Sequence, residues 1–256
     1  MSKSDPVNTK FYIPLAQASL FSDFTFFVGA TLSILSICID KVSYPLLYVT
    51  VNIAFAIAVS AVFISGLIVK LYYFPRAEDE RIKDFLSHAY GLSLTCNTSD
   101  AYYNNNAGSR ARKVGAQLLE NSLFSKEITS IMLRGMAFRY SLYAAVWLGI
   151  ALSRDVDYGI VLVASQVLFA EQVLAKLIRL IWLRSRCERT YERTYSLFLN
   201  KVAGINFECS VMEQLVFYET SKTSASIQLS SGVFERINPE LSLQWDLIKQ
   251  TLLIDR

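Results

Sequence analysis

One polar stretch in the middle of the chain carries side chains that could recognise a nucleotide. Tyrosine rings stack on bases, asparagine amides form paired hydrogen bonds, and basic side chains at a helix start attract phosphate. The candidate ligand-binding residues are Tyr102, Tyr103, Asn104, Asn105, Asn106, Arg110, Arg112 and Lys113. The same composition is typical of a turn between two helices or of a subunit interface, so these residues leave three interpretations open.

A second set of polar side chains lies inside apolar segments and could line an aqueous path. The candidates for a pore or its gate are Asn52, Ser60, Gln166, Glu171 and Arg139. Asn52, Ala56 and Ser60 follow one another at i, i+4, i+8 on one helix face. Small residues at this spacing mark helix packing more often than pore lining, so both roles stay open.

The sequence shows no pattern for catalysis or metal binding. It lacks a phosphate-binding glycine loop, a nucleophile elbow and paired metal-binding histidines. The single His88 has no histidine partner, and the nearby acids Glu78 to Glu80 lie among the basic residues Arg76, Arg81 and Lys83, as on a solvated helix face. We therefore predict no catalytic residue, metal or cofactor. A membrane enzyme that uses His88 is kept as a rival hypothesis.

Composition places much of the chain in lipid. Of 256 residues, 53% are hydrophobic and 18% are charged, and the mean hydropathy is positive. This apolar content exceeds that of an average soluble domain. The net charge of +3 is too small to predict a protein that wraps nucleic acid.

The first apolar zone predicts a transmembrane hairpin. Residues Val42 to Val69 form an uncharged run of 28, and Phe24 to Ile39 form one of 16 that lengthens if Asp23 lies near the inner interface. A helix of about 20 apolar residues crosses the hydrocarbon core. The two helices are joined only by the short segment Asp40 to Ser43, so they should be antiparallel neighbours.

The second apolar zone predicts another hairpin if charges are accepted inside it. The uncharged runs Tyr140 to Ser153 and Tyr158 to Ala170 are short, but they become spans when Arg139 and Glu171 are included. In a hairpin that turns near residue 155, Arg139 and Glu171 lie at the same depth. They could form an ion pair that locks the hairpin, or a charged ring near the inner mouth of an oligomeric pore.

The charge distribution predicts the orientation of the spans. Basic residues near the span ends gather on the side opposite the two hairpin loops. Both loops should therefore face outward, with both termini and the middle segment in the cytoplasm. The N-terminus has no pattern of a removable signal peptide.

The resulting prediction is an all-α membrane protein with four transmembrane helices in two hairpins. The predicted regions are 1–72, the first hairpin; 73–135, a cytosolic helical insertion; 136–186, the second hairpin; and 187–256, a cytosolic helical end. In the insertion, Asp79 and Lys83 should pair at i,i+4. Val114, Leu118, Leu119 and Leu123 should face inward.

Two further helices are predicted after the last span. The first continues out of the membrane with aromatic residues between arginines, as far as about Val202. The second should start after Asn238 and Pro239, with Leu241, Leu243, Trp245 and Ile248 as its apolar residues, and should pack on the insertion.

Several short motifs resemble a known family. They are YYNNN at 102–106, LLENSLFSKEITSIM at 118–132, FYET at 217–220 and INPELSLQWDLIK at 237–249. With the four-span layout, these are similar to the SMODS-associated four-transmembrane family of pore-forming effectors. The resemblance covers most of the chain. It departs after the ENS triplet and after FYET, and its motifs have no established catalytic role.

The resemblance implies a function in bacterial antiphage defence. A member of this family would form a pore in the bacterial inner membrane during infection, and growth would stop in an abortive response. Its control would come from a nucleotide or short DNA oligomer made by a partner nucleotidyltransferase, as in the Hailong system, where the oligomer holds the effector shut.

The number of predicted spans and their few polar residues also favour an oligomer. One copy has four spans and few polar lining residues, so an aqueous path needs several copies, with a tetramer favoured. A membrane-anchored adaptor or sensor without a conducting pathway is the main alternative.

Overall fold

The described part of the chain is mostly helical. The computed structural model describes residues 5–99, 103, 107–152 and 174–255, and these residues contain no strand. The predicted all-α class is confirmed for them. The helices are α1 (Ile13–Cys38), α2 (Pro45–Ile68), α3 (Phe74–Tyr90), α4 (Arg110–Leu152), α5 (Lys176–Leu199), α6 (Gly204–Ala225) and α7 (Ser231–Leu252).

Two π-helical segments extend the first helices. Asn8–Tyr12 leads into α1, and Val69–Tyr73 joins α2 to α3. The resulting continuous helices, Asn8–Cys38 and Pro45–Tyr90, are long and apolar enough to cross a membrane by length and composition. The second predicted hairpin includes residues 153–173, which lie outside the described residues.

One compact unit comprises Pro14–Tyr73 and Arg134–Ile178. In it, Phe26 of α1 and Val62 of α2 form a buried core to which Tyr140 adds its ring. Ser36 Oγ on α1 donates to Asn52 Oδ1 on α2 over 2.9 Å. These contacts pair the two helices side by side in opposite directions.

The turn between α1 and α2 is organised by Asp40. Its carboxylate accepts hydrogen bonds from the backbone amides of Val42 and Ser43 at 3.1 and 3.2 Å, and from Ser43 Oγ at 2.6 Å. A short polar side chain that binds backbone groups ahead of it is typical of a tight connection.

The other compact unit comprises Met1–Ile13, Phe74–Leu133 and Arg179–Arg256. Within it α5 and α6 run antiparallel, since Phe198 packs on Phe207 with ring centres 5.3 Å apart and Arg186 lies 4.7 Å from the ring centre of Phe217. Both phenylalanine rings of the first pair also approach Gly115 of α4.

Helix α7 packs along α4, as predicted for the C-terminal segment. The rings of Phe124 and Phe234 are 5.8 Å apart, and the amide of Ser230 lies 3.4 Å from the sulfur of Met132. At the other end of α7, Arg112 donates to the carbonyl oxygen of Leu253 over 3.4 Å.

The inward face predicted for the insertion is confirmed. Periodic apolar residues of α4 form its most buried stripe, and they are Val114, Leu118, Leu119 and Leu123. The predicted pair on α3 is also present, with Lys83 Nζ 2.6 Å from Asp79 Oδ2.

The boundary predicted between the insertion and the third span is not a helix boundary. The two predicted regions meet between residues 135 and 136, but α4 is continuous from Arg110 to Leu152. Gly135 lies within it without ending it, because a glycine stops a helix only where a C-cap forms.

The predicted start of the last helix is wrong. Helix α7 begins at Ser231, and Pro239 lies inside it. Ser230 provides the N-cap, since its Oγ accepts a hydrogen bond from the Val233 amide at 3.3 Å. Asn238, after which the helix was expected to start, lies inside it and accepts a hydrogen bond from Ser242 Oγ at 3.2 Å.

Candidate functional site

A largely buried ion cluster joins the N-terminal segment, α3 and α6. Lys222 Nζ lies 2.8 Å from Glu78 Oε2 on α3 and 3.0 Å from Glu219 Oε2 on its own helix. The Tyr12 hydroxyl donates to Glu78 Oε1 over 2.8 Å. The side chains of Glu78, Glu219 and Lys222 are only 12%, 16% and 16% exposed. We call Tyr12, Glu78, Glu219 and Lys222 the Lys222 cluster.

Groups from α4 and α6 support the lysine. Its Nζ lies 5.0 Å from the centre of the Tyr218 ring, in a cation–π contact. The Tyr218 hydroxyl in turn lies 2.7 Å from Ser125 Oγ and donates to the carbonyl of Asn121 over 3.4 Å. The aromatic ring beneath Lys222 is therefore fixed by α4.

Charge and burial oppose each other in this cluster. Burial alone would lower the pKa of Lys222, but the carboxylates of Glu219 and Glu78 raise it well above its ordinary value. Burial raises the pKa of Glu219, although Lys222 opposes that shift. A single ammonium shared by two carboxylates is thus held charged, and the cluster depends on it.

Arg81 extends the cluster towards the N-terminus. Its guanidinium lies 2.8 Å from Asp5 Oδ2 and 5.2 Å from the centre of the Tyr12 ring. Arg81 follows Glu78 by three positions on α3, so both side chains project from the same helix face. The N-terminal segment is consequently attached to α3 by two adjacent residues.

A second polar group on α3 contains the histidine considered above. The buried carboxylate of Asp84 accepts the Ser99 amide at 2.8 Å and the Ser99 hydroxyl at 2.7 Å. His88 Nε2 lies 3.2 Å from Ser99 Oγ and 3.5 Å from Asp84 Oδ1.

This group differs from a nucleophilic triad. In such a triad the two imidazole nitrogens face different partners, with the serine hydroxyl on one and the carboxylate on the other. Here one nitrogen of His88 faces both partners, and the hydroxyl of the buried Ser99 donates directly to Asp84. The arrangement fastens the loop after α3 to that helix.

Two more contacts hold this loop. Glu80 Oε2 accepts hydrogen bonds from Thr95 Oγ1 at 2.6 Å and Asn97 Nδ2 at 3.2 Å. Asn97 Oδ1 also accepts Lys10 Nζ of the N-terminal segment at 2.7 Å. The segment that leads to the predicted ligand residues is therefore docked.

The structure describes four of the eight predicted ligand residues. Tyr103 packs against α3, with its ring centre 5.7 Å from that of Phe85 and 5.2 Å from that of His88. Arg112 lies 5.5 Å from the ring centre of Phe198 on α5, while Arg110 is exposed and Lys113 half-buried. Tyr103 and Arg112 thus contact different helices. Tyr102, Asn104, Asn105 and Asn106 lie outside the described residues.

The predicted pore residues have mixed surroundings. Asn52 is half-buried, donates to the Tyr48 carbonyl at 2.8 Å and accepts Ser36 Oγ, so it joins the two hairpin helices. Ser60 and Arg139 are exposed and bind their own helix, through the carbonyls of Ala56 and Gly135. Gln166 and Glu171 lie outside the described residues, so the predicted Arg139 to Glu171 pair does too.

Sequence reasoning missed the long-range ion pairs. Among them are Lys222 with Glu78, Arg81 with Asp5, and Lys176 Nζ with Asp23 Oδ1 at 2.8 Å. In the part of the chain that the structure describes, no three His, Cys, Asp or Glu side chains group as a metal site requires. The missed pairs join residues far apart in the sequence, which only a set of relatives could reveal as coupled positions.

A comparison of the chain with family models, curated proteins and solved structures finds no match.

Proposed function

We propose that this chain is a membrane effector of bacterial antiphage defence that assembles into an oligomeric pore. Each copy would cross the inner membrane four times, with both termini in the cytoplasm. A nucleotide or short DNA oligomer from a partner nucleotidyltransferase would gate the pore, and pore opening would arrest growth.

The observation that carries this proposal is the continuity of the helices. Pro45–Tyr90 runs as one helix from an apolar hairpin into α3, which belongs to a polar helical unit. Helix α4 likewise extends without a break from Arg110 to Leu152. Helices of this kind can transmit a change at the polar unit to the apolar segments, as a gated pore requires.

The exposed surface of the hairpin supports a location in lipid. Large apolar side chains face outward on both helices, among them Leu20, Phe21 and Phe24 on α1 and Ile53, Ile57 and Phe63 on α2. Contiguous apolar surface of this kind marks a membrane or subunit contact. Because Asn52 is already bonded within the hairpin, a water-filled path would need side chains from several copies.

The start of α4 supports an anionic ligand. Arg110 is exposed in its first turn, and Lys113 follows one turn later. Backbone amides at a helix N-terminus attract phosphate, and the two basic side chains would add to that attraction. Such a ligand would shift the closed-to-open equilibrium only as far as it binds one state more tightly.

Conduction is the direct test of the proposal. We expect cells that express the chain, alone or with its partner enzyme, to lose membrane potential, and purified protein to release ions from liposomes. Glu171→Ala or Asn104→Ala should change the flux if these residues belong to the gate or the ligand site. Polarised cells and tight liposomes under both conditions would favour the membrane-anchored adaptor instead.

The four cysteines provide a test of the orientation. Cys38 is exposed at the end of α1, next to the turn predicted to face outward, whereas Cys96 and Cys209 are exposed in segments predicted to be cytoplasmic. In single-cysteine variants, a membrane-impermeant maleimide should label Cys38 in spheroplasts and should label Cys96 and Cys209 only after permeabilisation. Rapid labelling of Cys96 or Cys209 from outside would contradict the orientation.

Cys187 is the internal control for that experiment. It is buried, and burial raises the pKa of its thiol to about 12. Since the thiolate is the form that reacts, Cys187 should label at least about tenfold more slowly than Cys209 until the protein unfolds.

A further inference from the structure

The Lys222 cluster contacts both chain segments that continue into the helices of the apolar hairpin. Tyr12 is the last residue of the π-helical segment that leads into α1, and Glu78 lies in the first turns of α3, which continues α2. The Tyr12 hydroxyl binds Glu78, and Glu78 binds Lys222. Gln228 Nε2 adds a bond to the carbonyl oxygen of Tyr12 at 3.2 Å.

The two carboxylates of the cluster differ in what they connect. Glu219 lies three residues from Lys222 on the same helix, so its ion pair is local to α6. Glu78 belongs to α3, and its pair with Lys222 is the contact that joins α3 to α6 in this cluster. The two ion pairs are buried to a similar extent. Replacing each glutamate in turn therefore shows whether the contact between helices matters, or only the negative charge beside Lys222.

The helix segments beside these contacts have irregular geometry. Asn8–Tyr12 ends at Tyr12 itself, and Val69–Tyr73 precedes α3 directly. π-helical turns are rare and are frequently found at functional sites. One such segment ends at Tyr12, and the other ends five residues before Glu78.

We propose that Lys222 is the positioning residue of the gate: through Glu78 and Tyr12 it fixes on α6 the two chain segments that continue into the hairpin helices. This role rests on the proposed pore function. Loss of the connecting contact frees the two π-helical segments and changes the fraction of open pores. A change of tenfold in the open-to-closed ratio corresponds to about 1.4 kcal/mol, which is less than the cost of breaking a buried ion pair such as the one between Lys222 and Glu78.

The test uses full-length protein in planar bilayers and in detergent. Glu78→Gln and Tyr12→Phe should both change the open probability, by about threefold or more and in the same direction. Glu219→Gln removes an equally buried carboxylate from the same lysine but no contact between helices, so it should change the open probability less than Glu78→Gln does. The double variant Glu78→Lys with Lys222→Glu restores one lysine beside two carboxylates and should return the open probability towards wild type.

A second readout does not depend on conduction. Amide hydrogen exchange of residues 8–13 should accelerate in Glu78→Gln and Tyr12→Phe and stay slow in Glu219→Gln, if each variant elutes and melts as a folded protein. Equal conduction in all variants together with unchanged exchange would overturn the role of Lys222. A wild-type chain that conducts under no condition would overturn the pore itself, while the exchange rates still report whether Glu78 holds the helix ends.

Discussion

Lys222→Met is expected to lower the free energy of unfolding by about 3 kcal/mol or more, because it leaves two buried carboxylates without their shared cation. Glu78 and Glu219 both lie within 3.0 Å of the ammonium and are largely buried. Methionine has a similar length and fills the space beside the Tyr218 ring, so the loss reports charge more than volume. Thermal and denaturant unfolding of the full-length protein in detergent would measure it.

Two control variants show whether the loss of stability is specific to Lys222 or follows from the removal of any lysine beside acidic residues. Lys83 also lies near two acids, Asp79 and Glu80, but its side chain is 38% exposed, so Lys83→Met should have little effect. Adding Glu219→Gln to Lys222→Met removes one orphaned charge and should recover part of the stability. Equal stability of Lys222→Met and wild type would show that the cluster contributes nothing to folding.

The pH dependence should differ as well. The folded-state pKa of Lys222 is raised above its ordinary value of 10.5, so its contribution is fully present below that value and is lost as pH rises through the folded-state pKa. The alkaline loss of stability should therefore be smaller in Lys222→Met than in wild type. Glu219 also has a raised pKa, first because of burial, so Glu219→Gln should cost much less than Lys222→Met at neutral pH.

Local periodicity explains which parts of the fold were predictable. The buried stripe of α4, with Val114 and Leu118, follows from a 3.6-residue repeat and needs no knowledge of the rest of the chain. The same rule sorts the last helix, where Leu241 and Trp245 are buried one turn apart. Leu243, which was grouped with them, is 69% exposed because it lies on the opposite face.

The errors at helix ends have a common cause. Asn238 with Pro239 is a strong start signal, yet Ser230 caps α7 eight residues earlier and the helix continues through the exposed Pro239. Gly135 likewise does not interrupt α4. Capping signals show where a helix can end, and tertiary contacts decide where it does.

The candidate site was less predictable than the fold. The polar stretch was singled out by composition, but its two described members that make aromatic contacts, Tyr103 and Arg112, pack on different helices. The Lys222 cluster carried no local signal, since Tyr12 and Glu78 are 66 positions apart and look like ordinary surface residues in sequence. Long-range ion pairs arise from the packing of helices, which a single sequence does not reveal.

Two of the glycines in helix α4, Gly115 and Gly135, should respond in opposite ways to a larger side chain. A Cβ at Gly115 would lie 3.1 Å from Phe207 Cζ and 3.2 Å from two atoms of the Phe198 ring, whereas a Cβ at Gly135 would meet nothing within 4 Å. Both residues are inside the same helix, so replacement by alanine would favour the helical backbone equally. The difference between the two positions is therefore the packing of α5 and α6 on α4.

Gly115→Leu should destabilise the protein by about 2–3 kcal/mol, because the rings of Phe198 and Phe207 cannot both move away in a packed core. Gly135→Ala should instead stabilise it by about 0.5–1 kcal/mol through backbone entropy alone. Unfolding in detergent measures both. If Gly115→Leu were as stable as wild type, α5 and α6 would have to lie farther from α4 than the structure places them. The contacts of Tyr218 with Lys222 and with Ser125 would then need revision too, since they depend on the same packing of α6 on α4.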